Sequence, residues 1–178
     1  MLKSTAKVDS LKCQALALYL EGLGFRSIGR LLKINNVSVY HWIKKFGAST
    51  QAIKSNESIE VVELDELHTY VGDKKTAVGV WLAVDRFGKQ FINFVLGKRD
   101  VKTCQKLWQR VENKYIAVVV SDYWKAYQKV IPTEKHIVSK AETYTIEGYN
   151  SILRHYLARL RRKGKCYSKS KKMLEISI

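Results

Sequence analysis

The chain has 178 residues, and its hydrophobic fraction of 46% is enough for a buried core rather than a disordered chain. Its formal net charge of +16 favours a polyanionic partner, nucleic acid first and an anionic membrane surface second. No stretch reaches the ~18 apolar residues that span a bilayer, and the N-terminus lacks an apolar signal core. The three cysteines form no close pair, so neither a zinc ribbon nor a disulfide framework is expected. We therefore expect a cytoplasmic protein that acts on DNA.

Residues 11–46 have the apolar spacing of three short helices. Gly22 and Gly24 separate the first helix from the second, and the segment "KINN" separates the second from the third. Helix-turn-helix proteins place the second helix of the motif in the major groove of DNA. Here that helix is predicted at residues 37–46, with Asn36 as its N-cap.

The outward side of this third helix carries groups suited to DNA. Hydroxyl and imidazole groups can bond base edges, and ammonium groups can contact phosphates. The predicted DNA-binding residues are Ser38, Tyr40, His41, Lys44 and Lys45. The residues predicted to face inward are Val39, Trp42, Ile43 and Phe46. The same pattern also fits a three-helix packing module with a polar surface, and the basic balance of the chain favours the DNA interpretation.

The second half of the chain has a different character. We predict a tail at 1–10, a helix-turn-helix domain at 11–48, a small polar linker at 49–58 and an α/β domain at 59–178. Three strand-like runs come first in the α/β domain, followed by helix, strand, helix, strand and helix. This order predicts a mixed sheet flanked by helices.

Three acidic residues lie where apolar secondary structure ends or turns. Asp65 follows "VVEL", Asp122 follows "AVVVS", and Glu147 lies near the start of a last helix predicted from about Thr143 to Arg162. A carboxylate at the end of a buried strand is costly unless it faces a cleft and binds a cation. Such carboxylates can hold two Mg²⁺ ions, or Mn²⁺, for phosphodiester chemistry. Each acid alone fits a turn or a helix dipole equally well, so the prediction depends on their arrangement.

Two further acids on the first strand, Glu63 and Glu66, are interpreted as structural. By the period of two, Glu63 shares a strand face with Asp65 and Glu66 points the other way. Either one could replace Asp65 if the phase of the strand differed.

Basic residues dominate the chain after Glu147, and no Asp or Glu occurs between Glu147 and Glu175. Beside a carboxylate cluster, such a run favours a phosphate track over a solvated surface. The predicted DNA-binding residues here are Asn150, Arg154, Arg159, Arg161, Arg162 and Lys163.

Three segments carry a resemblance to a known family: "LDELHTYVG", "VVSDYWKAY" and "HIVSKAETYTIEGYNSILRHYLARLRRKGKCYSKS". With them the chain resembles the DDE transposases of the insertion-sequence-one type over roughly residues 10–172. The 24 residues between Asp122 and Glu147 match the short spacing of this family, and so does Arg154, seven positions after Glu147.

The resemblance implies a ribonuclease-H-like fold in which Asp65, Asp122 and Glu147 are the catalytic metal ligands. It also implies DNA cleavage at element ends by metal-activated water. The freed 3′-hydroxyl then attacks target DNA, and a homo-oligomer assembles on double-stranded DNA. Members of the family usually carry a zinc ribbon and a further C-terminal segment, whereas this chain has no cysteines for the ribbon and stops at "MLEISI". A non-cutting remnant that regulates as a helix-turn-helix DNA-binding protein therefore stays open, as does a structure-selective nuclease.

Overall fold

The computed structural model describes residues 9–50, 58–112, 115–161 and 163–178. The helices and strands in these ranges are α1 Asp9–Leu20, α2 Phe25–Leu32, α3 Asn36–Ser49, β1 Ser58–Val71, β2 Asp73–Asp85, β3 Gln90–Gly97, α4 Val101–Val111, β4 Tyr115–Ser121, α5 Lys125–Val130, β5 His136–Val138, α6 Tyr144–Tyr156 and α7 Lys171–Ser177. None of the helices described is long and apolar enough to cross a membrane.

The chain divides into two compact units. A helical unit combines the described residues up to Thr50 with Arg154–Ile178, and an α/β unit contains the described residues from Ser58 to Leu153. The sequence had placed everything from 59 to 178 in the α/β domain. The difference arises because the C-terminal segment shares a core with the N-terminal helices. Most of the predicted linker lies outside the described residues.

The helical unit contains the predicted helix-turn-helix. Lys33, in the left-handed region at φ 52°, ends α2. The side chain of Asn35 caps α3 by accepting a hydrogen bond from a backbone N–H of the first turn at 2.8 Å. The predicted cap, Asn36, is the first helical residue instead. Gly29 permits the tight turn, because a Cβ there would lie 2.8 Å from the carbonyl oxygen of Ile34.

The C-terminal helix α7 belongs to the same small core. Met173 packs with the buried face of the first three helices, and the Tyr19 hydroxyl lies 3.1 Å from Ser177 Oγ. The sequence had predicted one continuous helix to Arg162. Instead α6 ends at Tyr156, and a short 3₁₀ turn follows at Ala158–Leu160.

The turn after α6 buries Arg159, which the sequence had grouped with the DNA-binding residues. The guanidinium donates hydrogen bonds to the carbonyl oxygens of Tyr19 at 3.3 Å, Leu23 at 3.1 Å and Cys166 at 3.2 Å. It also lies 3.7 Å above the Tyr19 ring. With 7% of its surface exposed, Arg159 holds the helical unit together and is not presented to DNA.

Arg159→Ala is expected to lower the free energy of unfolding of the helical unit by about 2 kcal/mol, because buried carbonyl groups lose their donor. Urea unfolding followed by circular dichroism measures the change. Arg161→Ala is the control, since Arg161 is exposed and donates to one carbonyl, that of His155. Unchanged stability with a weaker salt dependence of DNA binding would restore the DNA-contact interpretation.

The α/β unit contains a five-stranded sheet in the order β3-β2-β1-β4-β5. The first three strands are antiparallel neighbours joined by short turns, while β4 and β5 run parallel to β1. The predicted turn at residues 86–89 lies between β2 and β3 as expected. These features confirm the mixed sheet flanked by helices and agree with the ribonuclease-H-like fold that the resemblance implied.

The strand β1 presents different residues to the two faces of the sheet. Val62 and Leu64 belong to the main hydrophobic core, together with residues of α4 and α5. Glu63 and Asp65 point to the other face, where both bond α6. Glu63 and Asp65 therefore lie on the face of β1 that packs against α6.

Candidate active site

Asp65 and Asp122 lie next to each other where the parallel pairing of β1 with β4 ends. The register of β1 with β4 ends at Leu64 opposite Ser121, and the next residue on each strand is one of the two acids. Asp122 directly follows its strand, as predicted. Asp65 lies in the middle of β1, because β1 continues beyond β4 and pairs there only with β2.

A tight turn fixes the carboxylate of Asp122. The backbone N–H of Trp124 donates to Asp122 Oδ1 at 3.0 Å, which is the geometry of an Asx turn. The helix α5 begins at the next residue, Lys125. Because this hydrogen bond joins two residues that are only two positions apart, it orients the Asp122 carboxylate without a contact from another helix or strand.

Glu147 lies in the first turn of α6, which β1 anchors. Glu63 is fully buried, and its Oε2 accepts a hydrogen bond from the backbone N–H of Ile146 at 2.8 Å. Its Oε1 accepts one from Arg86 Nε at 2.7 Å. The first turn of a helix has unpaired N–H groups that a carboxylate can satisfy. The strand that carries Asp65 therefore also fixes the turn that carries Glu147.

Asn150, which the sequence had grouped with the DNA-binding residues, bonds one of the three acids. Its side chain is buried, and Nδ2 donates to Asp65 Oδ2 at 2.6 Å. Its Oδ1 is buried without a hydrogen-bond partner among the described residues. The Asn150 side chain thus orients the Asp65 carboxylate, while its own Oδ1 has no hydrogen-bond partner among the described residues.

The acids interact electrostatically. Burial raises the pKa of Asp65 to about 6, and the carboxylates of Glu66, Asp122 and Glu147 add to the rise. Within the described ranges, no lysine or arginine forms an ion pair with any of the three predicted catalytic acids. Negative charge is therefore concentrated where the pairing of β1 with β4 ends.

The chemistry of these groups fits a divalent cation. Carboxylate oxygens and the unpartnered Asn150 Oδ1 are the hard donors that Mg²⁺ and Mn²⁺ accept. Across residues 9–50, 58–112, 115–161 and 163–178, however, no three His, Cys, Asp or Glu side chains stand close enough together to hold one ion. The metal therefore stays a prediction.

The predicted DNA-binding residues of α3 differ in exposure. His41 and Lys45 are exposed, whereas Ser38, Tyr40 and Lys44 are half-buried. The Lys44 ammonium lies 5.7 Å from the centre of the Tyr40 ring. Inward placement is confirmed for Val39, Ile43 and the half-buried Trp42. It is wrong for Phe46, which is 55% exposed.

The other predicted DNA-binding residues differ in exposure. Arg154 is half-buried near the end of α6, and Arg161 and Lys163 are exposed. Arg162 lies outside the described residues.

Residues 58–178 match the protein family described as IS1 transposase. The chain belongs to this family. Insertion element IS1 4 protein InsB of Escherichia coli (strain K12) is 34% identical over 115 residues, which are 65% of this chain and 69% of that protein. Insertion element IS1 protein InsB of Shigella flexneri is 34% identical over 112 residues, 63% of this chain and 86% of that protein.

Among solved structures, this IS1-family transposase aligns with a chain of the cryoEM structure of the simian T-cell lymphotropic virus intasome in complex with PP2A regulatory subunit B56 gamma. The TM-score is 0.48 and the identity 13%. The alignment covers 92% of the transposase and 66% of the other chain, just under two thirds of its length.

Sequence reasoning missed the contacts that two further residues, Glu63 and Asn150, make beside the predicted catalytic acids. Glu63 was interpreted as structural, but nothing in its local sequence linked it to α6 or to Arg86. Asn150 was assigned to DNA together with the basic residues that follow Glu147. Nothing in the local sequence showed that its side chain lies against β1 and bonds Asp65.

Proposed function

We propose that this transposase cuts DNA strands at the ends of its element and joins the freed 3′-hydroxyl to target DNA. Asp65, Asp122 and Glu147 are the catalytic residues in this proposal. The observation that carries it is the placement of two acids side by side after the last β1–β4 pair. The third acid lies on a helix turn that the same strand anchors, and Asp65 interacts electrostatically with both other acids.

The three carboxylates would hold two Mg²⁺ ions, with Mn²⁺ as a substitute. When bound, the metal activates the attacking oxygen and stabilises the leaving oxygen. The protein's own groups orient the ligands: Asn150 Nδ2 fixes Asp65, and the Trp124 N–H fixes Asp122. Ligands held in this way need little rearrangement before the reaction.

Exposed aromatic rings beside the acids suit a nucleic-acid substrate. Tyr123, which follows Asp122, is 66% exposed, and Tyr144, one turn before Glu147, is 58% exposed. Aromatic rings in such positions can stack on unpaired bases at a cut end. Double-stranded DNA is the proposed partner, and because a transposase must bring two element ends together, we propose a homo-oligomer on DNA.

Lys44→Ala and Lys45→Ala are each expected to weaken binding to element ends. Each should also reduce the slope of log affinity against log salt by about 0.9, because one phosphate contact is lost. Fluorescence anisotropy with labelled end DNA over a salt series measures both effects. The matched control is Lys12→Ala, whose ammonium lies 2.8 Å from Asp9 Oδ1 on α1. An unchanged slope in both α3 variants would move the interface away from α3.

The decisive experiment is nicking of a supercoiled plasmid that carries the gene with its natural flanking DNA. The purified protein is incubated with Mg²⁺, with Mn²⁺ and with EDTA, and the cut positions are mapped. We expect metal-dependent nicks at the flanking inverted repeats. Tight binding to those flanks without nicks would support a non-cutting DNA-binding regulator instead. Nicks placed without regard to the repeats would support a structure-selective nuclease.

A further inference from the structure

A fourth carboxylate, Glu66, lies next to the acid cluster but on the opposite face of β1 from Asp65. Its side chain is 3% exposed, and both of its oxygens are engaged. Oε2 accepts a hydrogen bond from the Tyr127 hydroxyl at 2.9 Å, and Oε1 forms an ion pair with Arg99 Nε. A carboxylate with both oxygens occupied by protein donors is poorly suited to bind a metal directly.

Arg99 links this carboxylate to the turn that holds Asp122. Its guanidinium lies 5.0 Å from the centre of the Trp124 ring, in cation–π geometry. The Trp124 ring also lies 5.0 Å from that of Trp81, and the Trp124 backbone N–H donates to Asp122. A continuous series of contacts therefore runs from β1 through Arg99 and Trp124 to the second catalytic acid.

We propose that Glu66 and Arg99 are positioning residues that hold the Asp122 turn at a fixed distance from Asp65. This ion pair is weak evidence for stability, because the Arg99 side chain is 47% exposed and solvent screens much of the attraction between the charges. Groups that orient metal ligands, in contrast, typically change metal affinity about 10- to 100-fold when removed. The expected effect on cleavage rests on the proposed function. The coupling, by which Glu66 and Arg99 act on Asp122 through Trp124, can be tested without DNA or metal.

The coupling is tested first by NMR on protein labelled with ¹⁵N at its four tryptophans. The Trp124 backbone amide is assigned by its loss in Trp124→Phe, and Asp122→Asn shows where it moves when the carboxylate changes. Arg99→Met and Glu66→Gln are expected to shift the Trp124 amide in the same direction. Arg99→Lys keeps the charge but loses the planar stacking group, so a smaller shift is expected.

The second measurement is the affinity of the free protein for Mn²⁺, followed by the EPR signal of unbound ion. Arg99→Met and Glu66→Gln are expected to raise Kd about tenfold or more, and the double variant is expected to match the single ones because the two residues act as a pair. The matched control is Arg110→Met on the same helix, α4. Arg110 donates to the carbonyl oxygen of Phe94 at 2.6 Å, away from the acids.

The outcomes separate this inference from the proposed function. An unmoved Trp124 amide in Arg99→Met and Glu66→Gln overturns the inference, whether or not the protein cuts DNA. Mn²⁺ affinities within twofold of the parent, with a parent that binds the ion, overturn it as well. A protein that neither binds Mn²⁺ nor nicks DNA, but whose Trp124 amide shifts as expected, retains the coupling and contradicts only the proposed function.

Discussion

Replacing Asp65, Asp122 or Glu147 with its amide is expected to abolish strand cleavage and leave binding to element ends nearly unchanged. We expect the cleavage rate to fall by more than about a hundredfold, because removing even the outer partners of metal ligands costs about 10- to 100-fold. The folds of the variants should persist. An amide oxygen at position 122 still accepts from the Trp124 N–H, and one at position 65 still accepts from Asn150. Nicking and end-binding assays on the same preparations measure the two activities.

The matched control for these variants is Asp73→Asn. Asp73 Oδ1 accepts hydrogen bonds from Lys75 N at 2.9 Å and Thr76 N at 3.1 Å at the start of β2, and an amide oxygen can do the same. Cleavage by this variant should match that of the parent. Full cutting by the Asp65, Asp122 and Glu147 variants would refute the site assignment.

Asp65→Asn should also be more stable than the parent when no metal is present. Burial and neighbouring carboxylates raise the pKa of Asp65 to about 6, so folding disfavours its charged form at neutral pH. A raised carboxyl pKa means that stability falls as pH rises through that value. Removing the charge should therefore raise the free energy of unfolding at pH 7, by up to about 3 kcal/mol. A catalytic site that is less stable than its inactive variant is a common trade-off.

The fold was predictable because its elements have strong local signals. Apolar β-branched runs predicted the strands, and the almost wholly apolar run before Asp122 predicted β4. Burial on both faces, which such a run indicates, holds for Val119, Val120 and Ser121 but not for the exposed Tyr115 and Ala117. The parallel pairing of β4 with β1 then brings together two acids 57 positions apart, which is why their positions after apolar runs were informative. A local sequence pattern can therefore locate each acid at the end of an apolar run, and the pairing of the two strands then brings the acids together.

The errors concern contacts that local sequence does not encode. Arg159 belongs to a basic run, and only its packing against Tyr19 distinguishes it from an exposed arginine such as Arg161. The end of α6 was missed because no glycine or proline marks it, and the C-terminal segment turns there to join the helical core. Glu66, in contrast, was interpreted as structural because the period of two places it on the other strand face, and its bonds to Tyr127 and Arg99 agree with that interpretation.

Glu63→Gln is expected to lower the free energy of unfolding of the α/β unit by about 3 kcal/mol. Removing one partner of a buried ion pair leaves the other charge poorly compensated, which typically costs about 3–5 kcal/mol. Glu63 is fully buried and Arg86 is 11% exposed, so solvent screens this pair little. Glutamine keeps an acceptor for the Ile146 N–H, and the measured loss therefore reports mainly the charge. Urea unfolding followed by tryptophan fluorescence gives the value.

Glu142→Gln is the matched control, because Glu142 pairs with the same arginine. Its carboxylate lies 2.9 Å from Arg86 Nη1 but is 49% exposed, so its loss should cost less than about 1 kcal/mol. Equal losses in the two variants would show that burial of Glu63 does not determine its effect. Since Glu63 also holds the helix turn before Glu147, its substitution should slow cleavage per folded molecule, whereas Glu142→Gln should not. Both effects would follow from one cause, because a single strand carries Asp65 and anchors the helix of Glu147.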